Sequence, residues 1–590
     1  MGLNSVLKVS CPFILLVFLG LSQLAPIYGL TDTKKQSIDE FVQNVMKCRG
    51  IPGLAISIVH NNQIAYTKGY GYSDLEKSVE VTPQTKFAIG SVTKSFTATL
   101  LADMIDKARN YEKLNWHTPL NEILGQNFKL NTSYLTELTT LVDILSHKTG
   151  VPGYHSVFTA GVFLNLTRKE HTRRLRFLEP EFAVRDGWIY NNHMYMLAGH
   201  VAEILADDTG SISWENLLKT HILHPIGMNS TRFVTLDETW EDVAKAYVLV
   251  DGHLTYVGMD MIKEVVAAGP AGSILSTADD MALWLLFHIN HGKTKDREEL
   301  INPRILNEMY LGQASQPSME DDLKKPTYPI DSVQSSYNLG LGTSFYRAFK
   351  MLGHAGELHS FQSDFRFFQR EQAGVFQILN GPDTYNARAA IRMIRMYISD
   401  MLLGLNPWLN KTTACTFPEP WAPGPPSVNP VLPVYNDRAP RPLVDYEGTY
   451  GHLAFGNVTF TLNATINKLY MRYGPFFEGH CSYDARQDVF LMSYEGIYQY
   501  RNDYFPAKFA PNKATGNIDI VYLKIDDSHP QAFIRDLKLT DVPVDIVQTQ
   551  GPACTTPDPS GSATKFARKN SIALLTMTSL LQIIVISNGT

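Results

Sequence analysis

The sequence predicts an α/β (α+β) chain followed by a separate, smaller β-rich domain. Three observations carry that reading. Strand-like and helical segments alternate along the first two thirds, a proline-rich stretch then interrupts the chain, and the remainder is dense in aromatic and β-branched residues. "GLAISIVHNNQIAYTKGYGY" reads as two strands around an Asn61-Asn62 turn. "SFTATLLADMID", "YMLAGHVAEILADD" and "ADDMALWLLFHI" carry helical periodicity. The stretch from Phe417 to Pro442 holds prolines that exclude helix and sheet interior and favour an extended linker. Beyond it, "NVTFTLNATINKLYMRYG" and "DVFLMSYEGIYQYRND" read as strands broken at Gly and Asn. The expected boundaries are a leader over residues 1–29, a first domain over 30–410, a linker over 411–443, a β-rich domain over 444–548 and a tail over 549–590.

Both ends suggest a secretory route. Lys8 precedes "CPFILLVFLGL", no charge occurs from Ser10 to Ala25, and small residues stand near Ala25 and Gly29. That is the layout of a signal peptide, and the apolar run is short for a bilayer span. Val6 stands where a myristoylation signal carries Ser or Thr. Near the other end, Ser560, Gly561 and Ser562 are followed by a spacer with Lys565, Arg568 and Lys569, then an apolar tail from Ile572 to Ile586. Small site, spacer and short tail match a glycosylphosphatidylinositol attachment signal, with a marginal tail anchor as the competing reading. Asn131, Asn165, Asn229, Asn410, Asn457 and Asn463 each begin N-x-S/T and are candidate glycosylation sites. The chain is therefore expected to be secreted or held at the cell surface, with the membrane as a partner through the lipid.

Cys48, Cys415, Cys481 and Cys554 remain after processing and could pair in three ways in an oxidising compartment. No C-x-x-C or H-E-x-x-H spacing suggests a metal, and no cofactor is expected. A formal net charge of −6 over 590 residues gives no basic footprint for nucleic acid. Oligomeric state is not legible.

The chemistry gathers around "FAIGSVTKSFTATLLADMI", in which Ser91 stands three residues before Lys94. That spacing puts both on one helical face. A serine hydroxyl needs a base, and a lysine serves once burial lowers its pKa. Ser-x-x-Lys also occurs at Ser5 to Lys8, inside the leader, and about two copies arise by chance at this length. On this motif alone, Ser91 reads better as a helix cap and Lys94 as a solvated first-turn charge. "WIYNNHMYMLAGHVAEIL" adds Tyr190 and Asn192 just before an apolar helix, and "LGHAGELHSFQSDF" adds His354 and Gly356 between two strand-like segments. Singly these are a packing aromatic and a structural histidine. Taken in order they are more specific.

In this order and at comparable separations, the chain resembles the serine β-lactamase and penicillin-binding-protein superfamily. The nearest branch is that of class C β-lactamases, D-alanyl-D-alanine carboxypeptidases and esterases. The likeness runs from Ile51 to Tyr397 and includes "IPGLAISIVHNNQIAYTKGYGYSD", "LTTLVDILSHKTGVPGY", "HPIGMNSTRF", "AGPAGSILSTADDMALWL" and "YNLGLG". The resemblance implies an antiparallel sheet flanked by helices with an all-helical lobe, and the β-rich tail is similar to a lipocalin-like domain. It implies Ser91 as nucleophile, with Lys94 and Tyr190 sharing the proton work and Tyr190 phenolate-like. It implies Asn192 holding the substrate and bracing Lys94, with oxyanion donors from the Ser91 and Glu357 N–H groups beside His354 and Gly356. His147 in "ILSHKTG" is expected to support the fold. The third motif departs from the family pattern, because Glu357, His359 and Ser360 precede Phe361 and narrow the expected mouth.

The first expectation is a serine hydrolase working through an acyl-enzyme on a small-molecule or peptide substrate (ester, peptide or amide). The second is an extracellular matrix or scaffold protein that keeps the fold with little turnover. Resistance to β-lactams is disfavoured for a eukaryotic surface protein.

Overall fold

The computed structural model describes residues 30–108, 114–126, 128–316, 332–421, 437–512, 514–526 and 529–537. The leader, Cys554 and the tail with Ser560, Gly561 and Ser562 lie outside the described residues, as do residues 422–436 of the expected linker.

Helix α1 (Asp32–Arg49) is capped by the Thr31 side chain at its start and ends on Gly50, a left-handed stop. Strands β1 (Gly53–His60) and β2 (Gln63–Asp74) form a hairpin. Asn61 and Asn62 both take positive φ, 52° and 57°, the geometry that two-residue hairpin turns require. Further along come β3 (Ser332–Tyr337), β4 (Gly342–Tyr346), β5 (Phe349–Leu358), β6 (Phe361–Phe368) and β7 (Ala373–Leu379). With two short edge pieces, Val79–Glu80 and Ala314–Ser315, they build a nine-stranded sheet whose inner order is β2-β1-β7-β6-β5-β4-β3. Every strand pairing in it is antiparallel.

Helices cover both faces. Leu54, Ile56 and Ile58 of β1 face α1 and the later helix Tyr385–Leu402, while Ala55 and Val59 face the opposite core. That alternation is the period-2 signature of a strand buried on both sides. The opposite core holds α2 (Thr93–Lys107), α3 (His155–Thr159), α4 (Asn192–Ala206) and α5 (Ala278–Ile289), together with the 3₁₀ segment Asp260–Ala268. Here α2 and α4 pack together as a largely helical lobe. Almost every residue of α2 is buried, so its helical pattern shows little amphipathicity.

Packing of this part continues past residue 410. Helix α6 (Tyr385–Leu402) is followed by the short α7 (Thr413–Thr416), and Cys48 is disulfide-bonded to Cys415. Phe417 is buried in the same core and Trp421 packs against it. Cys481 is a free, buried thiol.

Eight strands then close a barrel: β8 (Gly448–His452), β9 (Gly456–Asn463), β10 (Lys468–Tyr473), β11 (Phe477–Asp484), β12 (Val489–Ser493), β13 (Tyr504–Pro511), β14 (Ile518–Leu523) and β15 (Gln531–Arg535). Aromatic rings fill it, among them Tyr450, Phe460, Phe490 and Phe509, and full closure leaves no open edge. Of the candidate glycosylation sites, Asn165, Asn229, Asn410 and Asn457 are exposed. Asn131 and Asn463 are half-buried, their side-chain amides meeting Arg176 O at 3.3 Å and His480 Nε2 at 3.2 Å.

Candidate active site

Ser91 lies in a 3₁₀ turn, Gly90–Val92, that runs directly into α2. Gly90 takes φ +53°, and a β-carbon there would stand 2.8 Å from the Glu357 carbonyl oxygen and 2.9 Å from its nitrogen. Only glycine permits both the turn and that approach. Strand β5 therefore passes directly against the Ser91 turn. A β-carbon at Gly356 would overlap the Ile89 carbonyl oxygen and Ser363 Oγ, which are themselves hydrogen-bonded at 2.8 Å.

One helical turn after Ser91, Lys94 is fully buried. Its Nζ sits 3.0 Å from Ser91 Oγ and donates to the Ala271 carbonyl at 2.9 Å. The rings of Tyr190 and Tyr195 flank the amine at 4.8 and 5.3 Å. No carboxylate pairs with it among the described residues, and burial holds its pKa well below the ordinary lysine value. A neutral amine beside a serine hydroxyl can take its proton.

The Tyr190 hydroxyl donates to Ser91 Oγ at 2.8 Å. Part of the ring stays exposed, but the phenolic end is enclosed. Burial pushes the phenol above its ordinary range, and its bond to Ser91 opposes this only partly. The resting group is thus a phenol, not the phenolate-like base expected from the resemblance. Desolvation disfavours the charged form of both partners, and so favours a phenol beside a neutral amine.

Asn192 opens helix α4, and Asn191 caps it. The expected brace between Asn192 and Lys94 is not made, because the amine is held by Ala271 instead. Asn192 Nδ2 donates to His155 Nδ1 at 3.3 Å, and its Oδ1 is buried without a partner. His354 and Gly356 lie within β5 rather than between strands, and the turn falls at His359 and Ser360. His354 Nε2 meets the Tyr337 hydroxyl at 2.8 Å. Burial above all lowers its pKa to about 3, so the imidazole is neutral near pH 7. The Glu357 side chain points to Arg388 at 2.7 Å, and Arg388 is shared with Asp383 at 2.8 Å.

His147 is buried behind this group. Its ring centroid lies 4.4 Å from Tyr190 and 4.6 Å from Tyr337, and Nδ1 accepts the Asn191 amide at 3.1 Å. Sequence reasoning singled out neither Tyr337, Tyr195, His155 nor the Ala271 carbonyl. The last is a main-chain group in "AGPAGSIL", for which side-chain identity carries no signal.

The sequence model of the family described as Beta-lactamase matches residues 38–395, well over half of the chain. The chain belongs to the beta-lactamase family. This is a family of serine hydrolases. The chain is 27% identical over 452 residues to "Unguisins hydrolase ungD" of Aspergillus violaceofuscus, covering 73% of this chain and 77% of that one. It is 29% identical over 269 residues to "Gigasin-6" of Magallana gigas, covering 45% of this chain and 85% of that one. The octameric penicillin-binding protein homologue from Pyrococcus abyssi aligns with a TM-score of 0.51 at 22% identity, over 85% of this chain and 100% of that one, which is a likeness of fold.

Proposed function

We propose that the chain is a secreted or cell-surface serine hydrolase that cleaves an uncharged amide, peptide or ester through an acyl-enzyme on Ser91. The observation that carries this reading is one hydroxyl held 3.0 Å from a buried lysine amine and 2.8 Å from a tyrosine. Ser91 Oγ attacks the substrate carbonyl as its proton passes to Lys94 Nζ, and the new C–O bond leaves an oxyanion. The Ser91 and Glu357 N–H groups receive that charge, donors of a kind worth roughly 3–4 kcal/mol of barrier each. Lys94 returns the proton through Tyr190 to the leaving nitrogen or oxygen, and the scissile bond breaks. Water repeats the sequence on the acyl-enzyme and frees Ser91. Asn192 Oδ1, a buried acceptor without a partner, suits a substrate N–H.

Family membership and the printed name of the Unguisins hydrolase support turnover. The reading is tested with a fluorophosphonate probe on purified protein. Labelling is expected in the wild type and lost in Ser91→Ala. Wild-type protein that resists the probe and an ester and amide panel would instead favour the scaffold reading.

The surface location rests on the leader and the tail signal, and a disulfide between Cys48 and Cys415 suits an oxidising compartment. A phosphatidylinositol-specific phospholipase should release the protein from expressing cells. Retention would favour a tail anchor.

A further inference from the structure

The barrel does not merely trail the hydrolase part. Among the described residues it docks beside the candidate site, and three of its hydrogen-bonded contacts matter here. Tyr498 donates its hydroxyl to Glu264 at 2.9 Å, and Glu264 also meets His359 at 3.3 Å in the β5–β6 turn. The Phe476 amide donates to Ala160 at 3.2 Å, just beyond α3. The third contact is the informative one. Asp526, in the loop between β14 and β15, accepts the backbone N–H of Tyr154 at 2.7 Å.

Tyr154 is the residue before α3 and adopts φ 43°, ψ 50°, a left-handed conformation unusual for a bulky side chain. Such a conformation persists where its surroundings hold it. From inside, Asn191 Nδ2 donates to the Val151 and Pro152 carbonyls at 2.7 and 2.9 Å. A β-carbon at Gly153 would stand 2.7 Å from both the Tyr190 carbonyl and His155 Nε2, so this corner lies directly on the Tyr190 backbone. From outside, the hold comes from the barrel, through Asp526 and through Phe455, whose ring lies 4.7 Å from Tyr154. The next residue, His155, is the one that receives Asn192 Nδ2.

We propose that Asp526 is a positioning residue of the hydrolase site. It fixes the Tyr154–His155 corner, His155 holds the Asn192 amide, and Asn192 presents its Oδ1 to the substrate. The C-terminal barrel thereby sets the orientation of a substrate-binding group in the hydrolase part. This rests on the role given to Asn192 under the proposed function.

The test uses the full-length protein with Asp526→Ala and Asp526→Asn. The alanine removes the acceptor, while the asparagine keeps an oxygen in place. For an N-acyl amino-acid amide, kcat/KM should fall about tenfold to a hundredfold in Asp526→Ala, as a small misplacement of an orienting group does, and recover most of that loss in Asp526→Asn. Labelling by a small fluorophosphonate, which offers Asn192 no N–H, should change less than the amide rate. The His155 ring resonance, followed by NMR on histidine-labelled protein and assigned with His155→Gln, should move in Asp526→Ala and return in Asp526→Asn. Wild-type amide turnover in Asp526→Ala, or an unmoved His155 resonance, overturns the proposal. A wild type that neither labels nor turns over defeats the hydrolase reading instead, and the resonance still decides whether Asp526 positions His155.

Discussion

At the scale of single residues, the site depends on a lysine kept out of water. The unfolded chain holds a proton on Lys94 up to the ordinary lysine value of 10.5, while burial leaves the folded amine neutral well below it. Between those two values the unfolded state binds one more proton, so Lys94 makes stability rise with pH by at most about 1.4 kcal/mol per unit. In Lys94→Met that contribution vanishes. Urea unfolding of both proteins at pH 7, 8 and 9 should show the wild type gaining on the variant as pH rises, and parallel curves would mean that the amine is charged in the fold. His354 bears on substrate charge. Its imidazole is neutral, and the nearby Arg388 is already shared between Glu357 and Asp383. A neutral short-chain ester should therefore have a higher kcat/KM than the carboxylate-bearing nitrocefin, and His354→Lys should shift the ratio toward nitrocefin. A wild-type preference for nitrocefin that the substitution leaves unaltered removes His354 from selectivity.

At the scale of elements, the seam between β5 and the Ser91 turn brings the third motif to the first. Gly356→Ala places a methyl group on the Ile89 carbonyl and Ser363 Oγ, so the strand must retreat from the Ser91 turn. Loss of one well-placed oxyanion donor predicts a fall of about 10²–10³ in kcat. Melting temperature should fall as well, from the strain of overpacking. Turnover within about twofold of wild type would place the oxyanion donors elsewhere. The elements themselves were legible wherever local chemistry decided them. The Asn61-Asn62 turn demanded a hairpin and received one, and three apolar-periodic runs became α2, α4 and α5. The Ser91–Lys94 spacing was legible as helix geometry, whereas the place of Tyr190 beside them, 99 residues on from Ser91 in sequence, was implied only by the resemblance to the family. His155 and the Ala271 carbonyl were legible in neither way. One depends on a left-handed corner held from a distant loop, the other on a main-chain oxygen, and neither leaves a mark in residue type. The brace expected between Asn192 and Lys94 failed because that oxygen reaches the amine instead.

At the scale of the whole molecule, the candidate site and the disulfide lie on opposite faces of one sheet. The face with α2 and α4 carries Ser91, Lys94 and Asn192, while the face with α1 and α6 carries the covalent clasp. Composition alone left three pairings open for four cysteines, because pairing is decided by which helices meet. Cys48 near the end of α1 and Cys415 in α7 are brought together by packing of α1 on α6 and α7, across 367 residues of chain. Arg49 reinforces the same junction, donating to the Ala414 and Phe417 carbonyls at 3.0 and 2.6 Å and to Asn386 at 3.0 Å. A cross-link spanning so long a loop restrains the unfolded chain strongly, and its removal costs about 2–5 kcal/mol in the loop-entropy account. The Cys48→Ser, Cys415→Ser double variant should melt several degrees lower than wild type. Because the clasp lies across the sheet from Ser91, probe labelling per folded molecule should be unchanged at low temperature. An unaltered melting point would show that the Arg49 contacts alone close the junction, whereas lost labelling in the folded variant would mean that the two faces are coupled through β1 and β7.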